Sequence, residues 1–575
     1  MKKLEEIQNR KTMSAYGGVG SIIETKDNGS LLIEFYNRWG CYGENGYGNH
    51  VIEDQRLLEY LQNHKGIPNC AELREIPTPD DINKYSTSRG DLQETIKSRY
   101  FPSWFFCRGC HRLHRYDTWR DLWENRWGNT GLMNCHFNDN FPACPYCSTQ
   151  RGDTQISRKK LEQIRFCMAS LDSGKIEDIP FGQLVKMTPK GNYYNVIDDI
   201  SVETELEYRN SEDSLGLQSN YVKMRNADSA RLTMAQLESR YIIYEGNVYK
   251  LVLRNQNNVY YPDIVRAIYI PQDERILQLV RLGFQADAIV NGLNTPENQI
   301  ALTIEQVQNI IDGRNLDFDL QEYAYITYAG NYINGRNYKQ DFYAMRFEHL
   351  RHRYVRRFYA IPRLREDSTI PGFFRISNKE KTWLNVRTLQ EENMTPHYQS
   401  TFQGQPHEQL YIPVAKAFGE GFFLDIDTEH LEGVNGDDAY KFVHTFSHLL
   451  MKELEFECGY SIQSIKEKIY RNADNTAFGI LIYTVGGSEG SYGGLVSLLP
   501  NDVNAQEARL LRIIDNALER AKDCPNDPIC SAEGGHCFAC VDIPEISCCD
   551  WNNNIDRNIV NRINAEHNNR NANEG

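Results

Sequence analysis

Six cysteines lie between residues 524 and 549 of this 575-residue chain. Four of them form the series Cys524-x5-Cys530-x6-Cys537-x2-Cys540. Structural zinc sites take four soft donors in a tetrahedron, and a C-x2-C turn places two sulfurs on one ion. The series therefore predicts a closed structural zinc site. Cys548 and Cys549 are spare thiols that can replace a member of the series, and His536 is the nearby imidazole alternative.

A second group of cysteines lies near the end of the first quarter of the chain. It contains two C-x2-C pairs, Cys107 with Cys110 and Cys144 with Cys147. Two such pairs are the pattern of a zinc ribbon, although the spacer of 33 residues is longer than the usual roughly 15–20. Other donors in this region are His111, His114 and Cys135. We therefore predict two zinc ions per chain, one for each cysteine group.

Three tryptophans separate the two C-x2-C pairs. Trp119, Trp123 and Trp127 follow one another at intervals of four residues, which places them in one stripe on a helix. The sequence predicts a helix inserted between two zinc knuckles, with its aromatic stripe packed inside the protein and not used as a platform for nucleic-acid bases.

Three weaker patterns contain residue types that occur in enzyme active sites. Asp425 and Asp427 lie on one face of a predicted strand, where paired carboxylates can bind Mg²⁺. His444 and His448 are four residues apart on a predicted helix, without the glutamate of the H-E-x-x-H metalloprotease motif. The glycine loop 486–494 contains no lysine and no Walker A motif. We expect the two aspartates to lie at a solvated strand end, the two histidines to have a structural role and the glycine loop to be a structural turn. The alternative is that these residues form the active site of a metal-dependent nuclease or hydrolase.

Arginines are concentrated between residues 346 and 375 and alternate with Phe and Tyr. Guanidinium groups beside aromatic rings suit phosphate contact and base stacking. The competing interpretation is a basic face that pairs with the protein's own carboxylates, and both remain open from the sequence. The candidate DNA-binding residues are Arg351, Arg353, Arg356, Arg357, Arg363 and Arg365.

The composition limits the class of protein. Lys and Arg number 63 and Asp and Glu 78, which gives a net charge of −15 and argues against indiscriminate binding to nucleic acid. Hydrophobic residues make up 40%, too many for a disordered chain. No apolar run approaches the roughly 20 residues that span a bilayer, and the N-terminus has no secretory signal pattern. We expect a cytoplasmic protein that binds no membrane, in which the 15 cysteines form no disulfide framework and the two clusters among them serve metal sites.

Strand and helix patterns divide the chain into four predicted regions. They are a strand-rich N-terminal region (1–100), a zinc-ribbon-like module (101–160), a middle α+β domain (161–400) and a C-terminal zinc-binding domain with a polar tail (401–575). In the last region strands 421–427 and 478–485 alternate with helices 438–457 and 502–522, which favours an α/β layer with a parallel or mixed sheet. The predicted fold class is a multidomain α+β and α/β protein with two zinc-binding modules.

Short motifs along the chain carry a family resemblance. They are Tyr16-Gly-Gly-Val-Gly-Ser-Ile, Phe101-Pro-Ser-Trp-Phe-Phe-Cys-Arg-Gly-Cys-His, Arg363-Leu-Arg-Glu, Gly419-Glu-Gly-Phe-Phe-Leu, His444-Thr-Phe-Ser-His, Cys524-Pro-Asn-Asp-Pro-Ile-Cys, Cys537-Phe-Ala-Cys and Ile543-Pro-Glu-Ile-Ser-Cys. Together they resemble the DrmB family, a core component of the bacterial anti-phage system DISARM. The C-terminal half resembles that family's zinc-binding domain of unknown function, which also occurs fused to DNA helicases. Ser170 and Lys175 stand where the family usually has Cys and His, so neither is assigned a role.

The resemblance implies a non-motor subunit and not an enzyme. Such proteins pair with a helicase-like ATPase related to DrmA, bind DNA together with it, and support recognition of invading phage DNA. We therefore expect a zinc-stabilised accessory subunit that contacts DNA mainly as part of a complex. A scaffold without DNA contact is a further alternative.

Overall fold

The fold is given by a computed structural model that describes residues 17–76, 96–269, 279–374 and 410–574, with internal gaps. The longer gaps inside these ranges are 35–50, 197–204, 211–219, 294–303, 330–344 and 487–493. Tyr16, Arg375 and most of the glycine loop 486–494 therefore lie outside the described residues.

Strands occur throughout the described ranges. They are β1 (Ile22–Thr25), β2 (Gly29–Ile33), β3 (Cys70–Glu75), β4 (Ser98–Tyr100), β5 (Trp104–Phe106), β6 (Arg112–Arg115), β7 (Thr149–Arg151), β8 (Gln155–Ser157), β9 (Glu162–Gln163), β10 (Phe166–Ser170), β11 (Ile176–Glu177), β12 (Tyr193–Val196), β13 (Leu206–Arg209), β14 (Tyr221–Met224), β15 (Leu232–Thr233), β16 (Tyr241–Tyr244), β17 (Asn247–Leu253), β18 (Tyr261–Tyr269), β19 (Met345–Phe347), β20 (Val355–Phe374), β21 (Leu410–Ile426), β22 (Ile465–Arg471) and β23 (Phe478–Val485).

Helices are fewer and concentrate towards the C-terminus. They are α1 (Gln55–Asn63), α2 (Tyr116–Trp123), α3 (Phe181–Leu184), α4 (Met234–Glu238), α5 (Ala286–Leu293), α6 (Phe318–Ala329), α7 (Gly436–Cys458), α8 (Arg509–Arg520), α9 (Ile529–Ala532) and α10 (Arg557–Glu574). None of the helices in the described ranges is both long and apolar enough to cross a membrane.

The chain folds as two compact units. Unit 1 comprises residues 1–53, 61–265 and 369–414, and unit 2 comprises residues 54–60, 266–368 and 415–575. The mixture of helices and sheets that the sequence predicts is confirmed. The division into four regions stays a prediction.

Unit 1 is built mainly from antiparallel sheets. One has the strand order β15-β14-β13-β6-β5-β9 and another the order β11-β10-β17-β16-β12. Trp104 and Phe106 on β5 and Leu113 on β6 lie in a buried cluster with Phe166 and Tyr208. The hairpin of β5 and β6 is therefore anchored by its own apolar side chains, and its turn carries the first C-x2-C pair, Cys107 and Cys110.

Unit 2 contains a sheet in which β20, β21, β23 and β22 are neighbours. Every residue of β23 is buried, as its continuous apolar run predicts. Ile480 and Ile482 pack in a cluster with α7 and α8, while Leu481 and Tyr483 pack in a second cluster with residues of α6. Alternate side chains of one strand thus serve two apolar layers.

The pairs of β20 with β21, β21 with β23 and β22 with β23 are antiparallel, whereas the first residues of β21 pair in parallel with β3, so of the two predicted options the sheet is the mixed one. β22 and β23 are joined by only six residues, 472–477, and a parallel pair needs a crossover of a dozen residues or more. Helices α7 and α8 therefore cover the sheet without serving as crossovers between its paired strands.

Helix α7 is the central helix of unit 2. The side chain of Asn435 accepts a hydrogen bond from the Asp438 amide at its N-terminus, and Gly459 ends it in the left-handed conformation with φ of 72°. The predicted row of Phe442, Phe446 and Leu450 is fully buried. Its buried residues also include several polar side chains, which are His444, Thr445, Ser447 and His448.

The opposite face of the sheet buries an ion pair. Glu366 on β20 accepts hydrogen bonds from the ammonium of Lys466, at 2.6 and 3.0 Å, and from the hydroxyl of Tyr483 at 2.5 Å. Burial alone would raise the pKa of Glu366, but Lys466 and then Arg266 lower it to about 2. The ionised carboxylate is therefore part of the folded state of unit 2.

We expect Glu366→Gln to lower the free energy of unfolding by about 3 kcal/mol at neutral pH, because it breaks a buried ion pair. The folded-state pKa lies below the ordinary value of 4.5, so this contribution is complete above pH 4.5 and disappears as the pH falls to about 2. Urea unfolding of both proteins across this pH range measures the difference. The control is Glu457→Gln, which removes a pair to the 63% exposed Arg512, and we expect at most about 1 kcal/mol from it. Equal effects of the two substitutions would contradict the assignment.

Candidate metal centres

The first candidate centre lies in unit 1 and is made by Cys107, Cys110, Cys144 and Cys147. The sulfurs of Cys110 and Cys144 are 3.7 Å apart. Four sulfurs about 2.3 Å from a tetrahedral zinc ion lie about 3.8 Å apart, whereas a disulfide brings two sulfurs to about 2.05 Å. The spacing between these free thiols is that of a metal site.

Two tight turns form this centre. The first connects β5 to β6, and within it the His111 amide donates to the Cys107 carbonyl at 2.7 Å. The second precedes β7, and there the Ser148 amide donates to the Cys144 carbonyl at 3.0 Å. Gly109 leaves room at the first turn, because a Cβ at this position would lie 3.1 Å from the sulfur of Cys147, which is closer than most Cβ contacts in proteins.

The tryptophan stripe holds these turns in place, as the packing interpretation predicts. Trp119 and Trp123 are fully buried, and their indole N–H groups donate to the carbonyls of Phe105 and Cys135 at 2.8 and 2.7 Å. The indole of Trp127 donates to the carbonyl of Pro145, between the last two cysteines, at 3.2 Å. The inserted helix therefore braces both knuckles.

The additional donors of this region stay outside the four-sulfur cluster. His114 packs edge-on against Trp119, with ring centroids 4.9 Å apart. Burial lowers its pKa to about 4, so the ring is neutral at physiological pH. The carbonyl of Cys135 accepts the Trp123 hydrogen bond.

The second candidate centre lies in unit 2 and is made by Cys524, Cys530, Cys537 and Cys540. Three sulfur-to-sulfur distances, 524 to 537, 530 to 540 and 537 to 540, are each 3.6 Å. Backbone and side-chain N–H groups of Asn526 point to the sulfurs of Cys524 and Cys537, at 3.4 and 3.5 Å. Such N–H donors stabilise thiolates. His536 faces Asp542 at 2.9 Å and is not a member of this cluster.

Helix α10 is tied to this centre through Arg557, which is only 2% exposed. Its guanidinium pairs with Asp527 and donates to the carbonyl of Ala521 at 3.2 Å. Asp527 lies between the first two cysteines of the centre. The buried guanidinium of Arg557 thus connects helix α10 to the loop that carries the first two cysteines of the centre.

The histidine pair of α7 belongs to a third group, with Glu467 of β22 and Cys548. Both histidine Nε2 atoms face Oε1 of Glu467, at 3.0 Å from His444 and 3.1 Å from His448. Cys548 therefore does not replace a ligand of the second centre. Burial alone would raise the pKa of Glu467, but His448 and His444 lower it well below its ordinary value.

Comparisons with known proteins bear on the second of these centres and on the family of the chain. A family described as MrfA Zn-binding domain matches residues 446–541, which include all four cysteines of the second centre. A domain of unknown function (DUF8724) matches residues 8–261, which include the first centre. A stretch of 136 residues is 40% identical to the DISARM protein DrmB of Bacillus paralicheniformis.

The resemblance to DrmB is confirmed. The matched stretch covers 22% of this chain and 22% of the Bacillus protein. Within the chain, two four-cysteine clusters can hold zinc, as predicted, and one of them lies in a domain named for zinc binding.

The carboxylates proposed for the enzyme alternative have structural partners. Asp425 is 1% exposed, and it accepts three hydrogen bonds from Arg356, at 3.1, 3.1 and 3.0 Å, and one from the hydroxyl of Tyr323 at 2.7 Å. The expected solvated strand end is therefore wrong for Asp425. Asp427 caps the following turn by accepting from the Glu429 amide at 3.1 Å.

The candidate DNA-binding arginines fall into three kinds. Arg356 and Arg365 pair with the buried carboxylates of Asp425 and Asp367, at 3.0 and 2.6 Å. Arg351 and Arg363 are exposed, and Arg363 lies within the irregularity between Ile361 and Leu364 in the pairing of β20 with β21. Arg353 and Arg357 are half-buried. Contact of any of these side chains with DNA stays a prediction.

We expect Cys110→Ser and Cys537→Ser each to remove one zinc ion relative to the unmodified protein, because each takes one of four ligands from a closed site. Mass spectrometry of the native proteins gives the ion count. Cys135→Ser and Cys458→Ser are matched controls, since neither residue belongs to a cluster, and they should keep every ion. Unchanged zinc in Cys537→Ser would contradict the second centre.

Proposed function

We propose that this chain is a zinc-stabilised accessory subunit of an anti-phage defence complex in the bacterial cytoplasm. In this proposal it partners a helicase-like ATPase and helps that partner bind invading DNA. The observation that carries the proposal is the 40% identity over 136 residues to the DISARM protein DrmB.

The composition of the two cysteine centres supports a structural and not a catalytic role. Each brings four sulfur ligands together, which fills the tetrahedral coordination of a zinc ion. A catalytic zinc keeps one position open for water or substrate. The second centre also packs into the large apolar cluster that contains α7 and α8, with Cys530 and Cys540 among its buried members.

The exposed arginines support DNA contact within the complex. Arg351 and Arg363 offer charge that no buried carboxylate uses in the contacts described above. With a net charge of −15, the chain alone repels DNA at long range, so its contacts would form mainly when a partner holds the DNA nearby. Arg356 and Arg365 are excluded as test positions, because their loss would leave Asp425 and Asp367 buried without these partners.

We expect the double substitution Arg351→Ala and Arg363→Ala to weaken duplex binding by the complex of the chain with its ATPase partner. Each lost phosphate contact lowers the slope of log affinity against log salt concentration by about 0.9, so two contacts lower it by about 1.8. A salt titration on one duplex with a single-stranded end measures both quantities.

The matched control is the double substitution Arg512→Ala and Lys522→Ala, which removes the same charge from side chains that are 63% and 57% exposed. The control should keep the slope of the unmodified complex. An equal loss of affinity in both double variants would mean that net charge, and not phosphate contact by Arg351 and Arg363, causes the effect. An unchanged slope in the Arg351/Arg363 variant would mean that DNA binds elsewhere.

The purified chain without its partner should not cleave phage DNA, with or without Mg²⁺. Asp425 is occupied by Arg356 and Tyr323, so the carboxylate pair is not available to an ion. Gel analysis of linear and circular DNA is the measurement. Cleavage that depends on Mg²⁺ and persists in an independently purified sample would favour the nuclease alternative.

A further inference from the structure

Four metal-binding side chains meet inside unit 2, apart from both four-cysteine centres. His444 and His448 come from α7, Glu467 from β22, and Cys548 from the loop before α10. The two histidines and Glu467 are fully buried, and Cys548 is 4% exposed. Two imidazoles, a carboxylate and a thiol are all zinc donors.

The distances between these donors approach those of a coordination shell. Nε2 of His444 lies 3.0 Å from Oε1 of Glu467 and 3.3 Å from the sulfur of Cys548. Around a tetrahedral ion with bonds of about 2.0 Å to N or O and 2.3 Å to S, these distances would be about 3.3 and 3.5 Å. All four donor atoms lie within 4.8 Å of one another. Shifts of a few tenths of an ångström would fit an ion.

The surrounding hydrogen bonds orient the donors towards one point. Nδ1 of His448 is 3.2 Å from the carbonyl of Val541, which can only accept, so Nδ1 carries the proton and Nε2 presents its lone pair to the cluster. A carbonyl in this position is the usual outer partner of a zinc-bound histidine. The hydroxyl of Ser447 donates to the other oxygen of Glu467, which leaves Oε1 towards the histidines.

The sulfur of Cys548 accepts backbone hydrogen bonds of the kind that stabilise a thiolate. The backbone amides of Asp550 and Asn552 donate to it at 3.3 and 3.2 Å. The amide of Asn526 donates to Cys524 in the same manner in the second four-cysteine centre, at 3.4 Å. A thiolate and a carboxylate together carry two negative charges in a buried place, and a divalent cation neutralises both.

The competing interpretation is a proton-bonded network without metal. There, Oε1 of Glu467 would accept hydrogen bonds from protonated Nε2 atoms of both histidines. His448 would have to carry protons on both nitrogens, because Nδ1 already donates to Val541. The amides at Cys548 would then face a neutral thiol, which is a weak acceptor. The metal interpretation assigns every one of these contacts a suitable partner.

We propose that His444, His448, Glu467 and Cys548 bind a third divalent metal ion, which their donor types identify as zinc. With four protein ligands and no exposed donor, the site is structural. It joins α7, β22 and the loop that follows the second four-cysteine centre. It does not depend on the proposed role in defence.

The test is a count of metal ions by elemental analysis and native mass spectrometry of the full chain. The unmodified protein should carry three ions, and Cys548→Ala should carry two. Cys548→Asp, which keeps an anionic donor of similar reach, should retain the third ion. The neighbouring Cys549→Ser is the matched control and should also carry three.

Two ions in the unmodified protein, or three in Cys548→Ala, would overturn the proposal. If Cys548→Ala loses more than one ion, the loop has unfolded with the second centre, and Cys548→Asp then decides. Three ions in that variant support the site, and two overturn it. Cobalt-loaded protein gives an independent check, because removal of Cys548 should abolish the charge-transfer absorption of one thiolate and leave that of the eight others.

Discussion

The need of clustered thiolates for a cation is the constraint on which this structure depends. Sulfurs 3.6 to 3.7 Å apart are too distant for disulfides and too close for several uncompensated negative charges. The loops that carry them contain only short regular elements, such as the four-residue helix α9. Coordination therefore adds to the packing of the tryptophan stripe and of Arg557 in setting their shape, which couples metal binding to folding.

The C-terminal half shows how far this constraint extends. Helix α7 packs on the sheet through one buried row of apolar side chains. His444 and His448 of the same helix lie next to Glu467 of β22 and to Cys548, in the loop that follows the second centre. Arg557, the first residue of α10, pairs with Asp527 and so connects α10 to the loop of the second centre. A metal ion in the second centre is thus linked to the main apolar core through a few contacts. Loss of this ion should disturb the cysteine loop of the second centre before it disturbs the sheet.

The sequence predicts those features that depend on local spacing. The two four-cysteine groups, the tryptophan stripe and the buried run of β23 all appear as expected, because each is marked by short-range spacing in the sequence. Features that depend on distant partners were out of reach. Nothing near Glu467 marks it as the partner of a histidine pair, and nothing near Asp425 marks it as the partner of Arg356. The short connection 472–477, and not the alternation of strands and helices, decides that β22 and β23 pair antiparallel.

Hydrogen exchange before and after removal of metal tests the central claim, that coordination holds the cysteine loops in their fold. After chelation the account predicts rapid exchange at the amides of Ser148, Cys530 and Cys540, which donate to carbonyls inside the cysteine turns. Amides of the buried strand β23 should keep their protection, and added zinc should restore the loops. Unchanged protection of the cysteine turns in metal-free protein would contradict the account.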